Sequence, residues 1–369
     1  MKSALAALYK DVLLLILLAG LIVLTALAPG KIVTYPGLVD WPTMAALTGL
    51  LVLTKGLELS GGLHRLGSWL IGFLASERAA AVGLVLAAAA LSTLLTNDVA
   101  LFVIVPLTLG VCRLTGMAST RLIVFVALAV NAGSALTPIG NPQNLFLWQL
   151  SGVSFAEFVS HMLPLAALLM LALLLLTLAV FPGRPIAVQS EDRSRLDGRL
   201  LAVSLALYLP FLIATDLHQA MWAVGGVLLI FLLFRPQILL QIDWALLLVF
   251  LLMFIDLRLL AGLEAVRQAM PQLRLAQPDH LYFASIAASQ IVSNVPAAIG
   301  LAEYSKDWRV LAYGVNVGGF GLLIGSLANL IALRMARDRR AWLSFHLYGL
   351  PALIVAAAVG YGLLFVGHA

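Results

Sequence analysis

Charge is scarce in this sequence, and cysteine scarcer still. Asp, Glu, Lys and Arg make up 11% of the 369 residues, against 62% hydrophobic. A soluble globular domain carries about 25% charged residues, and the deficit excludes a soluble core of this length. The single cysteine, Cys112, rules out a disulfide framework and a thiolate metal cluster; it reads as a small apolar side chain. No His-Glu-x-x-His helix occurs, so a zinc metalloprotease is disfavoured, and no Gly-x-x-x-x-Gly-Lys-Ser/Thr loop is present to drive pumping with ATP. An intramembrane aspartyl dyad needs a second Asp facing Asp98, and Val295 stands in the matching place. The expectation is therefore no enzyme and no organic cofactor.

What the chain does have is apolar runs. Those at 12–28, 41–57, 162–181, 200–215, 221–234, 244–260 and 345–366 are of roughly spanning length. No small-residue cleavage site follows the first run, which reads as a span rather than a leader. The runs 79–95 and 99–112 flank the polar group Thr96-Asn97-Asp98, and 281–292 ends at Ser293-Asn294. The runs 122–150 and 308–333 have polar, Gly-rich centres. Shorter runs at 63–74, with His64 and Arg65, and at 263–270 read as interfacial helices. The expected fold is an all-α polytopic membrane protein of about nine transmembrane helices, with two re-entrant hairpins (79–112 and 281–306) and two broken helices (122–150 and 308–333).

The net charge of +5 does not point to nucleic acid, because the basic residues sit in short loops, as membrane orientation requires. Lys2 and Lys10 favour a cytoplasmic N-terminus. Lys55, Arg65, Arg78, Arg113, Arg121, Arg184, Arg193, Arg235 and the cluster Arg334, Arg337, Arg339 and Arg340 then also fall inside, and the C-terminus lies outside. Arg258, Arg267, Arg274, Lys306 and Arg309 fall on the outer side against the rule.

The chain repeats itself. Residues 131–145 laid on 316–330 match at Asn131/Asn316, Gly133/Gly318, Ile139/Ile324, Gly140/Gly325, Asn144/Asn329 and Leu145/Leu330. Residues 91–97 laid on 288–294 match at Ser92/Ser289 and Asn97/Asn294, with a hydroxyl kept at Thr96/Ser293. Val39-Asp40-Trp41 matches Ile242-Asp243-Trp244. The three matches keep one order, and chance coincidences of Asn, Gly and Trp are far rarer than those of Leu or Ala. The expected domains are a first inverted repeat at 1–182, a cytoplasmic loop at 183–198 and a second inverted repeat at 199–369.

Chemistry at membrane depth belongs where the backbone is not helical, since only protein or a water-filled cavity can satisfy it there. Four such places occur: the tips at Thr96, Asn97, Asp98 and at Ser293, Asn294, and the breaks carrying Thr137, Gly140, Asn141, Asn144 and Gly325, Ser326, Asn329. Pro138 and Pro142 each remove a backbone donor. Freed carbonyls suit Na⁺ and helix N-termini suit an anion. Broken helices at matching positions of two inverted halves mark a midplane transport site. Asn, Ser and Thr can replace the hydration of a small ion without a fixed buried charge. Plainer readings stand beside these. Asn97 and Asp98 could serve as caps for the following helix, and Asn131 and Asn316 as interhelical hydrogen-bond glue. Gly133 and Gly318 read as close-packing positions, and Asp256 and Arg258 as an interfacial pair. Asp98, the one carboxylate near the inferred midplane of the first half, is the candidate protonation site.

The string Thr96-Asn97-Asp98, Pro106, the run from Asn131 to Leu145, and Ser289-Gln-Ile-Val-Ser-Asn-Val-Pro296 together resemble the ion transporter superfamily, which holds arsenite permeases, citrate and dicarboxylate carriers, and sodium/proton antiporters. The resemblance covers nearly the whole chain. It implies a homodimer in the inner membrane, with a scaffold and an elevator-like transport domain made of the hairpins and broken helices. By that resemblance Thr96, Asn97, Ser293 and Asn294 would bind substrate or ion, with Na⁺ candidates at Asn97 and Asn141. Asp98 and Val295 depart from the Ser-Asn-Thr tips of the dicarboxylate branch and shift the match toward the arsenite-permease-like anion permeases. The function expected is secondary transport of a small anion or arsenite, coupled to H⁺ or Na⁺. The rival is a sodium/proton antiporter working through Asp98.

Overall fold

The computed structural model describes residues 12–27, 29–62, 65, 76–186, 196–336 and 341–366. It is all-α, with eighteen α-helices and no strand among the described residues. The first half holds α1 (Val12–Leu27), α2 (Tyr35–Leu38), α3 (Trp41–Leu59), α4 (Glu77–Leu94), α5 (Asn97–Thr115), α6 (Ser119–Ser134), α7 (Pro142–Ser151) and α8 (Phe155–Val180). α9 (Gly198–Asp216) follows. Then come α10 (Ala220–Phe234), α11 (Pro236–Gln241), α12 (Trp244–Ala261), α13 (Glu264–Ala269), α14 (Pro278–Val292), α15 (Asn294–Leu301), α16 (Trp308–Val317), α17 (Leu327–Ala336) and α18 (Ala341–Tyr361).

Among the described residues, five helices are long and apolar enough to cross a membrane by length and composition: α4, α8, α9, α12, and α18 with its terminal π turn. α1 with its bent continuation makes six. The expectation was about nine. α6, α10 and α17 are apolar but shorter than a full span; the breaks divide the runs that hold α6 and α17, and α10 stops at Arg235, ahead of Pro236. α8 starts at Phe155 rather than 162, because Ser154 Oγ accepts from Glu157 N at 3.2 Å and carries the helix back through polar residues. The interfacial helix expected at 63–74 (apart from Arg65), Lys2, Lys10, Arg193, Arg337, Arg339, Arg340 and most of the 183–198 loop lie outside the described residues.

The sequence repeats have local structural counterparts. Asp40 caps α3 by accepting from Thr43 N, and Asp243 caps α12 by accepting from Leu246 N, both at 2.9 Å. Trp41 Nε1 donates to Pro36 O and Trp244 Nε1 to Leu239 O, again both at 2.9 Å. These indoles fix the entry of one helix in each half.

Packing follows the same correspondence. α1 lies against α12 and α3 against α10; α4 lies against α6 and α14 against α16. Glycines set the closest approaches. A Cβ on Gly133 would collide with the backbone of Ala89 and come within 2.6 Å of Ser92 Oγ. A Cβ on Gly318 would collide with the side chain of Ser289. Each hairpin helix is thus seated against the helix that precedes a break.

An alanine at Gly133 has nowhere to go, and overpacking of this kind costs about 1–3 kcal/mol. Gly133→Ala is expected to lower the thermal unfolding midpoint of the purified protein. Gly225→Ala, whose Cβ meets nothing, is expected not to. Equal midpoints for the two variants would contradict the α4–α6 contact.

Candidate functional site

The site assembles around two chain reversals and two breaks. The first reversal is extended at Leu95 and Thr96, between α4 and α5. The second is a single residue, Ser293, at φ 74 and ψ 156. Few non-glycine residues hold such angles, and such outliers gather at functional sites. Thr96, Asn97, Ser293 and Asn294 are all buried, and Asp98 is half-buried. The backbone N–H of Asn97 donates to Gly140 O at 2.8 Å, which ties the first tip to the first break.

Side chains also fasten each hairpin to its own break. Thr93 Oγ1 donates to Gly133 O at 3.1 Å, and Thr137 Oγ1 donates to Thr93 O at 2.7 Å. In the second half, Gln290 Nε2 donates to Gly318 O at 2.6 Å and Phe320 O at 3.1 Å, and Gln290 Oε1 accepts from Leu322 N at 2.7 Å. Thr93 and Gln290 occupy matching places, and both donate to the carbonyl of the matched glycine.

The breaks are then joined across the halves by asparagine. Asn131 Nδ2 donates to Asn329 Oδ1 at 2.8 Å and to Gly319 O at 3.1 Å. Asn316 Nδ2 donates to Asn144 Oδ1 at 2.6 Å and to Ala312 O at 2.8 Å. The helix asparagine of each half therefore pairs with the post-break asparagine of the other. Asn141 Nδ2 adds a bond to Asn316 Oδ1 at 3.0 Å, and its Oδ1 caps α7 by accepting from Asn144 N at 2.9 Å. Asn144 Nδ2 collects the carbonyls of Ser134, Ala135 and Thr137 freed at the end of α6, and Asn329 Nδ2 donates to Gly319 O at 2.9 Å.

A second set of groups is left open. Thr96 Oγ1 and Ser326 Oγ are buried without a hydrogen-bond partner. The side-chain amide nitrogens of Asn97 and Asn294 donate to nothing; that of Asn294 stands 3.5 Å from where a Cβ on Gly319 would be. The Asp98 backbone N–H donates to Asn97 Oδ1 at 2.9 Å, and its carboxylate accepts no hydrogen bond among the described residues. Three helices, α5, α15 and α17, begin at or beside these residues, and helix N-termini carry partial positive charge. Gly140 and Gly325 have no room for a side chain: a Cβ would collide with Ser134 O at the first, and would reach Gly318 O at 2.5 Å in the second. The fourteen residues expected at the site thus fall into two groups. Asn131, Thr137, Asn141, Asn144, Asn316 and Asn329, with the two glycines, hold the frame. Thr96, Asn97, Asp98, Ser293, Asn294 and Ser326 keep polar groups open or only weakly engaged.

The family described as citrate transporter matches residues 4–312. The chain belongs to that family. The inner membrane protein YbiR of Escherichia coli K12 is 49% identical over 334 residues, which is 90% of each chain. An uncharacterized transporter of Methanocaldococcus jannaschii is 32% identical over 307 residues, 81% of this chain and 82% of that one. An uncharacterized transporter of Mycobacterium bovis is 26% identical over 363 residues, 86% and 83%. Transport is the function of this citrate transporter family, and this member is a multi-span membrane protein.

Two readings of the sequence change. Gln290 was missed; its alignment with Thr93 was visible, but the side chains differ in type. Asp256 and Arg258 are not a pair. Residues two apart on a helix face different ways. Arg258 Nε donates to Glu303 at 2.9 Å and Nη1 to Leu38 O at 2.6 Å, while Asp256 turns into the protein.

Removing the Asn316 amide strands Asn144 Oδ1, at about 1–3 kcal/mol for a buried group left unpaired, while Asn141 Nδ2 keeps its bonds to Ser134. Asn316→Ala is expected to lower the unfolding midpoint clearly, while Thr96→Val, which deletes a hydroxyl bonded to nothing, is expected to leave it within error. Equal losses would show that the asparagine pairs do not hold the breaks together.

Proposed function

We propose that the protein is a secondary transporter that carries a small anion, or neutral arsenite, in a site between the two hairpin tips. One observation carries this reading: the open amide and hydroxyl donors lie beside three helix N-termini, and no Lys, Arg or His is among the site residues. Amide and hydroxyl donors with helix N-termini suit an oxygen-bearing ligand of low charge. A multiply charged anion would call for basic side chains. The crosswise asparagine pairs and the matched helix contacts support two inverted repeats. Tips fastened to breaks support a transport domain that moves as a block, in the elevator manner, coupled to H⁺ or Na⁺. The inner-membrane name of the Escherichia coli relative supports the same location here, and the family resemblance supports a homodimer. A second reading, sodium/proton antiport, rests on Asp98: its carboxylate lies at the first tip without a hydrogen bond among the described residues and would alternate between H⁺ and Na⁺.

The test is a thermal-shift panel on the purified protein with citrate, succinate, arsenite, phosphate, sulfate and Na⁺, singly and with Na⁺ added. A ligand at a hundred times its dissociation constant adds about 2.7 kcal/mol of apparent stability. The expected result is a shift from one anion or arsenite that disappears in Asn97→Ala and Asn294→Ala. A shift from Na⁺ alone, lost in Asp98→Asn and indifferent to every other ligand, would replace the anion reading with antiport.

A further inference from the structure

One ionisable side chain is buried away from the tips and breaks, with nothing to bond to among the described residues. Asp256 sits on α12 and is 6% exposed, and neither carboxylate oxygen has a hydrogen-bond partner. Across from it is Gly20 of α1. A Cβ there would stand 3.1 Å from Asp256 Oδ2, so the missing side chain of the glycine makes the room for the carboxyl group.

The elements packed against α12 supply no counter-charge. α1 and α15 carry no titratable residue among those described. On α3, Lys55 and Glu58 bond to each other at 2.6 Å. On α2, the Tyr35 hydroxyl is 2.6 Å from Thr25 Oγ1. Glu264 and Arg267 of α13 lie beyond the helix end, as does Lys31, whose Nζ is beside Gly262. On α12 itself, Asp243 caps the N-terminus, and Arg258 is held by Glu303 and Leu38 O. None of these groups bonds to Asp256.

A lone carboxylate among apolar helices is costly, and ionisable residues in spans are functional by default. Either a cation or a proton would relieve the cost. A cation needs several oxygen ligands, and the facing helices keep their carbonyls in their own hydrogen bonds. The described residues hold no group of three metal-binding side chains. A proton needs the carboxyl alone. We propose that Asp256 is a proton-binding site, in exchange with the membrane face that bears Arg258 and Glu303, and that its proton drives the transport proposed above. Only the coupling half rests on that earlier reading.

The position suits both parts. Arg258 follows two residues later, about 3 Å along the helix axis, and its ion pair with Glu303 is partly open to solvent. Leu257, the next residue, reaches toward the second hairpin: its Cδ2 is 3.9 Å from the place of a Cβ on Gly300 of α15. α12 therefore carries the carboxyl on one side and touches the hairpin with the adjacent residue, so a change of charge at Asp256 acts one residue from the transport site's own helix.

The test uses the full chain in liposomes. Infrared difference spectra between acidic and alkaline pH should show a protonated-carboxyl stretch that disappears on alkalinisation, with a component present in wild type and Asp98→Asn and missing from Asp256→Asn. A spectrum of Asp256→Asn identical to wild type overturns the proton site. Should Asp256→Asn not fold, Asp256→Glu must move the frequency of that component, and an unmoved band overturns the proposal equally. This arm needs no substrate. In the second arm, uptake of each labelled anion of the panel and of labelled arsenite is driven by a pH gradient. Asp256→Asn should fall to the rate without a gradient while exchange at equal pH persists; gradient-driven uptake at the wild-type rate overturns the coupling role. Absence of uptake by wild type overturns coupling together with the transport reading, and the infrared arm still decides whether the proton binds.

Discussion

The structure rests on one requirement: inside a membrane every backbone polar group freed from a helix must find a partner in the protein. Two helices here are interrupted, so carbonyls and amides are freed at depth. Asn144 gathers three of those carbonyls, and Asn131 and Asn329 both reach Gly319 O. The crosswise pairs Asn131–Asn329 and Asn316–Asn144 then make each break complete only in the presence of the other. An amide side chain suits this work because it donates and accepts at once and carries no charge to desolvate.

Once the frame is satisfied in this way, the open groups stand out by contrast. Thr96 and Ser326 have hydroxyls without partners, and Asn97 and Asn294 have free amide nitrogens. The strained backbone of Ser293 turns the chain in a single residue, so that α15 begins beside α14 and keeps Asn294 at the tip. Frame and open groups thus use the same few residue types, and only the hydrogen bonds tell them apart.

Much of this was legible from residue spacing. The repeat of Asn131, Gly140 and Asn144 in Asn316, Gly325 and Asn329 located both breaks, and Asn97 with Asn294 located both tips. The crosswise partners were not legible, because the chain order places Asn131 next to Asn141 and Asn144 while its amide bond goes to a residue almost two hundred positions away. Gln290 escaped because its partner in the repeat, Thr93, reaches the same carbonyl with a shorter side chain of another type. Asp256 escaped because its neighbour Arg258 suggested a pair, and only the packing of Gly20 shows that the two side chains part company. The early start of α8 was readable from Ser154 and Glu157 as a cap, but hydropathy alone hid it.

The crosswise pairs also bear on how the molecule comes into being. A ribosome delivers Asn131 long before Asn329, and Asn144 long before Asn316. Through that interval the first break can engage its own carbonyls, yet the amide of Asn131 and the oxygen of Asn144 have no lasting partner. The early segments must wait in the bilayer in an unfinished form, accessible to water or to the insertion machinery, until the later ones arrive. Completion is thereby a late event that locks both breaks at the same moment.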